Sequence, residues 1–199
     1  MRIGFIGTGT IATALGQHFD TGGHTVSYGS RNPRDHEGSV SIADAVSSAE
    51  IVVTAIPGRA VLDTLEEIGE EALAGKVIMD VSVPLSADSE LLFPNDSLAR
   101  KIQEKYPRTP VVKTLNTMNV SMMFGPYDKV ARPDVFVSGD SDEAKATVKS
   151  LLTEMGWREE SILDLGGIET ARGTEHAVFL FFAAFGAVKS PTFTISISR

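Results

Sequence analysis

The most constraining feature of this chain is a short apolar strand that runs directly into a glycine-containing loop and then a helix. The strand is Arg2–Ile6, the loop reads Gly7-Thr8-Gly9-Thr10-Ile11-Ala12, and Ala14-Leu15 begin a helical pattern. A second strand, His24–Tyr28, leads into Gly29-Ser30-Arg31. This order is typical of the first βαβ unit of a dinucleotide-binding fold, in which the loop and the helix N-terminus bind a pyrophosphate.

The spacing G-x-G-x-x-A gives each small residue of the loop a distinct role. Gly7 permits the tight turn out of the strand, Gly9 lets a pyrophosphate approach the backbone, and Ala12 lets the helix pack close to the strand. Thr8, Thr10 and Ile11 are the other loop residues that we expect to contact the cofactor. A glycine turn of purely structural origin is the alternative, but the position of the motif between a strand and a helix favours a nucleotide site.

The end of the second strand predicts NADP(H) rather than NAD(H). NAD-binding proteins usually carry Asp or Glu here for the ribose 2′-hydroxyl, whereas this chain has Ser30 and Arg31. A guanidinium attracts a 2′-phosphate and binds it through two parallel hydrogen bonds. Asn32 and Arg34 are further candidate contacts. The alternative is that Arg31 is an ordinary solvated surface residue.

Composition narrows the class of protein. The 199 residues suffice for one domain and a small appendage, and the net charge of −8 argues against nonspecific binding to nucleic acid or to an anionic membrane. The absence of cysteine excludes disulfides, thiolate metal sites and a cysteine nucleophile. Because a core strand begins the sequence, we expect no signal peptide and a cytoplasmic location. The longest apolar run, Ala177 to Val188, is shorter than the ~18–20 residues of a membrane span.

Strand and helix patterns alternate along the chain, and most predicted strands are continuous apolar runs. Such runs are typical of strands covered on both faces, so we expect an α/β fold with a Rossmann-like, doubly wound, mainly parallel sheet. The later predicted strands are Ile51–Ile56, Val77–Val81, Val111–Leu115, Val135–Gly139 and Ser161–Asp164. The predicted helices are Ile42–Val46, Val61–Ile68, Leu98–Tyr106 and Asp142–Met155. Residues 1–165 are expected to form an NADP-binding domain, and residues 166–199 a helix and tail that are not an independent domain.

Candidate ligand contacts follow three neighbouring strands, because ligands of such sheets bind beyond the carboxyl ends of the strands. The segments are Ala55-Ile56-Pro57, Val81-Ser82 and Asn116. Asn116 has both a donor and an acceptor, which suits a carboxamide such as that of nicotinamide. Each segment taken alone is equally compatible with an ordinary turn. Their occurrence at three successive strand ends favours a binding function.

These residues, together with blocks later in the chain, carry a family resemblance over nearly the whole sequence. The blocks are Gly7-Thr8-Gly9, Gly29-Ser30-Arg31, Ala55-Ile56-Pro57, Asn116-Thr117, Val137 to Lys145, Asp164 to Ile168, and Ala171-Arg172. Together they resemble the NADP-dependent reductases of the deazaflavin coenzyme F420. The last two blocks are more specific than the glycine loop, which general nucleotide-binding domains share. The N-terminal domain of the STEAP metalloreductases looks like the same family.

The resemblance implies hydride transfer directly between the nicotinamide and a stacked deazaflavin, with no catalytic acid–base pair and no metal. His176 and Lys113 are each either pocket residues or, as we favour, structural or solvent-facing ones. Gly167 departs from the family, whose members often carry proline there. The acidic tail of coenzyme F420 has no obvious basic cluster to meet it, and Arg59 and Arg172 are its candidate contacts.

The segment Ala177–Phe185 is apolar on all sides of a predicted helix. A helix on the surface of a monomer normally has one polar face, so this helix is expected to pack on the sheet domain and against a second subunit in a homodimer. The alternative is a helix wholly inside one subunit.

The sequence therefore predicts an NADP-dependent oxidoreductase that acts on coenzyme F420, a small-molecule redox partner. Two alternatives stay open. One is an NADPH-dependent reductase of flavin, ferric iron or another small acceptor, and the other is a non-catalytic protein that senses NADP(H).

Overall fold

One sheet of eight strands organises the computed structural model, which describes residues 1–198. The strands are β1 Arg2–Ile6, β2 Thr25–Ser30, β3 Ser39–Ser41, β4 Ile51–Thr54, β5 Val77–Asp80, β6 Val111–Thr114, β7 Val135–Ser138 and β8 Ile162–Asp164. Their order across the sheet is β3-β2-β1-β4-β5-β6-β7-β8. All neighbours are parallel except β6 and β7, which are antiparallel. The predicted Rossmann-like, mainly parallel sheet is confirmed.

Helices cover both faces of the sheet. They are α1 Thr10–Thr21, α2 Ile42–Ser47, α3 Val61–Ile68, α4 Glu70–Leu73, α5 Leu98–Lys105, α6 Asp142–Glu154 and α7 Ala171–Val188. Alternation along β4 shows the two faces: Ile51 and Val53 belong to the apolar cluster that contains α1 and α6 residues, whereas Val52 belongs to the cluster of α2, α3 and α5. A strand buried on both faces has to be apolar throughout, which explains the continuous runs.

The observed elements differ from the predicted ones mainly at their ends. The run predicted as Ile51–Ile56 ends as a strand at Thr54, although the Ala55 backbone amide still donates to the Ile6 carbonyl at 3.0 Å. Strand β3 was not predicted, because its three residues, Ser39-Val40-Ser41, are too few and too polar to give a strand pattern. The sequence also carries no sign that β7 reverses direction beside β6.

Helix α7 is buried at its start and largely exposed toward its end. Thr174, Glu175 and Val178 are buried against the rest of the chain. Large apolar side chains are exposed farther along, namely Phe179, Leu180, Phe182, Phe185 and Val188. Within residues 1–198, no helix is both long enough and apolar enough to cross a membrane.

The C-terminal tail returns to the body of the protein after α7. Phe193 stacks on Phe181 with ring centroids 5.0 Å apart, and the Ile197 amide donates to Asp134 Oδ2 at 2.7 Å. Arg199, the last residue of the unit expected to span residues 166–199, lies outside the described residues.

A buried ion network joins the middle of the sheet to α7. The Lys113 ammonium lies 2.8 Å from Asp80 Oδ2 and 3.1 Å from Glu175 Oε1, and all three side chains are at most 1% exposed. Glu175 also accepts hydrogen bonds from the amides of Leu98 and Ala99, at the start of α5. Burial by itself lowers the pKa of Lys113, but the two carboxylates outweigh it and raise that pKa above its ordinary value. The structural role favoured for Lys113 matches this environment.

Replacing Lys113 with methionine is expected to lower the free energy of unfolding by on the order of 3 kcal/mol, because it leaves two buried carboxylates without their cation. Chemical denaturation followed by circular dichroism measures the change. Lys149→Met is the matched control, since Lys149 pairs with Asp164 where both side chains are about one-third exposed. Equal losses for the two variants would contradict the interpretation.

Candidate functional site

The turn out of β1 requires glycine at position 7 for two reasons. Gly7 has a φ of +117°, a conformation that other L-residues rarely adopt. A Cβ atom there would also lie 2.7 Å from the carbonyl oxygen of Ala55. The backbone therefore passes close to the loop after β4, and the Gly7 amide donates to the Gly29 carbonyl at 2.9 Å.

Gly9 stands at the N-cap of α1 and borders open space. Its φ of −77° is accessible to any residue, so conformation does not explain the glycine. A Cβ atom at this position would meet nothing within 4 Å, and no side chain caps the helix. The first amides of a helix lack intrahelical partners and carry a partial positive charge. The combination suits an anion that approaches the backbone closely.

Two adjoining clefts open at the carboxyl ends of the strands. The first, which we call the β2 cleft, has a volume of about 440 Å³ and lies between the ends of β1, β2 and β4. The second, the β5 cleft, has a volume of about 360 Å³ and lies between the start of α1 and the loop after β5. Gly9 and the segment Ala55-Ile56-Pro57 line both clefts, so the two form one continuous surface.

The β2 cleft is positively charged, because Arg31 and Arg59 line it and none of its lining residues is acidic. His36 lies in the same lining. Ser30 is 9% exposed, and its Oγ accepts a hydrogen bond from the backbone amide of Asn32 at 3.1 Å. This bond shapes the turn that carries Arg31. An anionic group with several oxygen acceptors fits this chemistry.

The β5 cleft is mostly apolar. Its lining includes Ile11, Ile56, Val81 and Val83, and Ser82 supplies a hydroxyl within this lining. A flat, largely apolar ring with a few polar substituents fits such walls.

The loops after β4 and β5 approach each other closely at Gly58. A Cβ atom at Gly58 would lie 2.4 Å from the carbonyl oxygen of Val83 and 2.7 Å from the Cα of Pro84. Gly58 itself is buried. The missing side chain is therefore what lets the two loops pack together.

Comparison with known proteins shows the family to which the chain belongs. The sequence profile of the family described as NADP oxidoreductase, coenzyme F420-dependent, matches residues 2–84. The crystal structure of a protein from Arthrobacter sp. FB24, provisionally assigned as an F420-dependent NADP reductase, is 35% identical with a TM-score of 0.92, and each chain is covered completely. The chain belongs to this family. Membership places it among the NADP-dependent oxidoreductases, as the sequence predicted.

The chain is also similar to a metalloreductase, and it shares its fold with a reductive aminase. Metalloreductase STEAP3 of Rattus norvegicus is 32% identical over 182 residues, which are 87% of this chain, and the chain spans 36% of the length of that protein. The reductive aminase of Aspergillus terreus, solved with NADPH and ethyl levulinate, is 18% identical with a TM-score of 0.68. The match covers 94% of this chain and 62% of the aminase, and at this identity it shows a common fold only.

Most of the residues predicted to bind the cofactor line one or both clefts. They are Gly7, Thr8, Gly9, Thr10, Ile11, Ser30, Arg31, Asn32, Ala55, Ile56, Pro57, Val81 and Ser82. The structure does not bring Arg34 or Asn116 to either cleft. Arg34 lies on an exposed turn, Pro33–Asp35, and the Asn116 amide nitrogen donates to the Thr174 carbonyl at 2.9 Å, where the side chain is buried.

Other side chains lie at places that were not predicted. His36 lines the β2 cleft, as does Arg59, a candidate contact of the F420 tail. The Arg172 guanidinium donates to the Pro94 carbonyl at 3.3 Å, and His176 contacts the same carbonyl at 3.0 Å. Asp80 stands at the end of a predicted apolar strand, which is the sequence feature that could have indicated the buried network. No role was predicted for it.

Alanine at position 9 is expected to leave folding intact and to weaken NADPH binding at least tenfold, because the new methyl group occupies the open space that a phosphate would enter. Fluorescence titration with NADPH and thermal unfolding measure the two effects. Gly173→Ala is the matched control, since Gly173 also has no neighbour within 4 Å of a Cβ but lies in α7. Unchanged NADPH affinity in Gly9→Ala would remove the loop from the site.

Proposed function

We propose that the protein transfers hydride between NADP(H) and coenzyme F420. The observation that carries this proposal is the continuity of an arginine-lined cleft with a mostly apolar one across the phosphate-binding loop. In the proposed complex, the 2′-phosphate and adenosine occupy the β2 cleft, the pyrophosphate meets the start of α1, and the nicotinamide occupies the β5 cleft.

The preference for NADP(H) over NAD(H) rests on the charge of the β2 cleft. Arg31 offers a planar guanidinium for the 2′-phosphate, and Ser30 supplies a hydroxyl beside it. An acidic residue would repel that phosphate, and the lining contains none.

The chemistry proposed for the β5 cleft is positioning rather than acid–base catalysis. When bound there, the dihydronicotinamide would supply the hydride, and none of the residues that line the β5 cleft is ionisable. The branched side chains of Ile11, Ile56, Val81 and Val83 support this role, because they can hold a ring in place and exclude water from its face.

A second candidate is an NADPH-dependent reductase of flavin or ferric iron. Its support is the 32% identity with rat metalloreductase STEAP3 over most of this chain. The phosphate-binding loop would serve both activities equally, so the acceptor distinguishes them.

Anaerobic oxidation of NADPH by the purified protein tests the proposal, with oxidised coenzyme F420, FMN and ferric citrate as separate acceptors and NADH as the control donor. We expect rapid, NADPH-specific reduction of coenzyme F420. Reduction of only flavin or iron would support the metalloreductase-like activity. Tight NADPH binding without turnover would instead indicate a protein that senses NADP(H).

The charge reversal Arg31→Glu is expected to weaken NADPH binding by about 100-fold and NADH binding by less than threefold, because a carboxylate repels the 2′-phosphate. Titration of both nucleotides at fixed ionic strength measures the difference. Arg158→Glu is the control for total charge, since Arg158 stacks over Tyr127 away from both clefts. An equal loss for the two nucleotides would place Arg31 outside the 2′-phosphate site.

We also propose a cytoplasmic homodimer in which the exposed apolar half of α7 contacts a second copy. Phe179, Leu180, Phe182 and Phe185 form this surface, and their exposure would be unfavourable in an isolated chain. In this proposal residues 1–165 bind the nucleotide and residues 166–199 supply the packing helix and tail. Light scattering that finds only a 21.3 kDa particle would exclude the dimer.

A further inference from the structure

Ser82 is held by hydrogen bonds at each of its three polar atoms. Its amide donates to Asp80 Oδ1 at 3.1 Å, its Oγ donates to the same oxygen at 2.7 Å, and its carbonyl accepts from Lys113 Nζ at 2.5 Å. The residue is 6% exposed yet lines the β5 cleft. Hydrogen bonds that fix a side chain in this way position it for recognition of a ligand.

The buried ion network determines which way the Ser82 hydroxyl points. Asp80 Oδ1 accepts from Thr54 Oγ1 as well as from Ser82, and Asp80 Oδ2 faces the Lys113 ammonium. Because Asp80 Oδ1 is the acceptor at this contact, the Ser82 hydroxyl hydrogen lies toward Asp80. What remains available to a ligand in the cleft is a lone pair on Ser82 Oγ.

We propose that Ser82 Oγ accepts a hydrogen bond from the carboxamide NH₂ of nicotinamide, and that Asp80 is the positioning residue that keeps Ser82 an acceptor. The assignment rests on the proposed function, because it requires the nicotinamide to occupy the β5 cleft.

The rest of the cleft leaves few other partners for the carboxamide. Among the residues that line the β5 cleft, Thr10 and Ser82 alone have polar side chains, and Thr10 is the exposed first residue of α1. Asn116, which the sequence suggested for this task, uses its amide nitrogen on the Thr174 carbonyl. Ser82 is therefore the buried polar side chain that the cleft offers to a ring substituent.

Isothermal titration of NADP⁺ and of its 3-acetylpyridine analogue tests the assignment, because the analogue has a methyl group in place of the amide NH₂. Wild type is expected to bind NADP⁺ about three- to tenfold more tightly than the analogue, the usual effect of one hydrogen bond. Ser82→Ala is expected to bind NADP⁺ about three- to tenfold more weakly than wild type and to bind the analogue as before. The ratio of the affinity for NADP⁺ to that for the analogue then approaches one.

The variant Asp80→Asn, titrated with the same two ligands, provides a second test. The asparagine amide can donate to Ser82 Oγ, which frees the hydroxyl hydrogen to donate to the carbonyl of either ligand. The ratio is expected to fall below that of wild type, whereas a merely structural role for Asp80 would weaken both ligands equally. Circular dichroism and the thermal midpoint establish that each variant is folded. Ser47→Ala is the matched control, since Ser47 Oγ donates to the Asp44 carbonyl at the end of α2.

A ratio in Ser82→Ala equal to that of wild type, or a wild type that does not discriminate between the ligands, would overturn the assignment while leaving the proposed function standing. Failure of wild type to bind NADP⁺ at all would overturn the proposed function and this assignment together.

Discussion

The structure depends on a lysine ammonium buried between two carboxylates at the centre of the sheet. Lys113 on β6 meets Asp80 on β5 and Glu175 on α7, and all three are excluded from solvent. Charges are costly to bury without partners, so each member requires the others. The amides at the start of α5 stabilise the remaining negative charge on Glu175. Through this network α7 is joined to the strands that carry the site.

The same network reaches the clefts through short polar contacts. Asp80 binds Thr54, the last residue of β4, and Ser82, in the loop after β5. These strands end directly beneath the walls of the two clefts. The loops are thus held by groups that lie deeper in the protein, whereas most residues that line the β5 cleft are small or apolar. Such a division suits a site whose task is to hold two ligands in register.

The fold and much of the candidate site could be predicted because their signals are local. Continuous apolar runs marked the central strands, and the loop from Gly7 to Ala12 marked the first turn through steric demands that glycine satisfies. Arg31 was recognisable because its position follows β2 in any fold of this type. The short strand β3 carried no such pattern.

Long-range partners were beyond the reach of the sequence. Asn116 follows a strand as a ligand residue would, but its partner Thr174 lies 58 residues away, and only the folded chain shows that contact. Lys113 and Glu175 are similarly distant in sequence, so their pairing could not be read from either residue. Residues that act through a neighbour, such as Asp80, lack the local motif that marks residues in direct contact with a ligand.

The absent side chain at Gly58 has a mechanical consequence for the protein. The loops after β4 and β5 meet there as closely packed backbone, and residues of both loops line the clefts. A larger residue at position 58 would therefore force apart the two loops that border the binding surface.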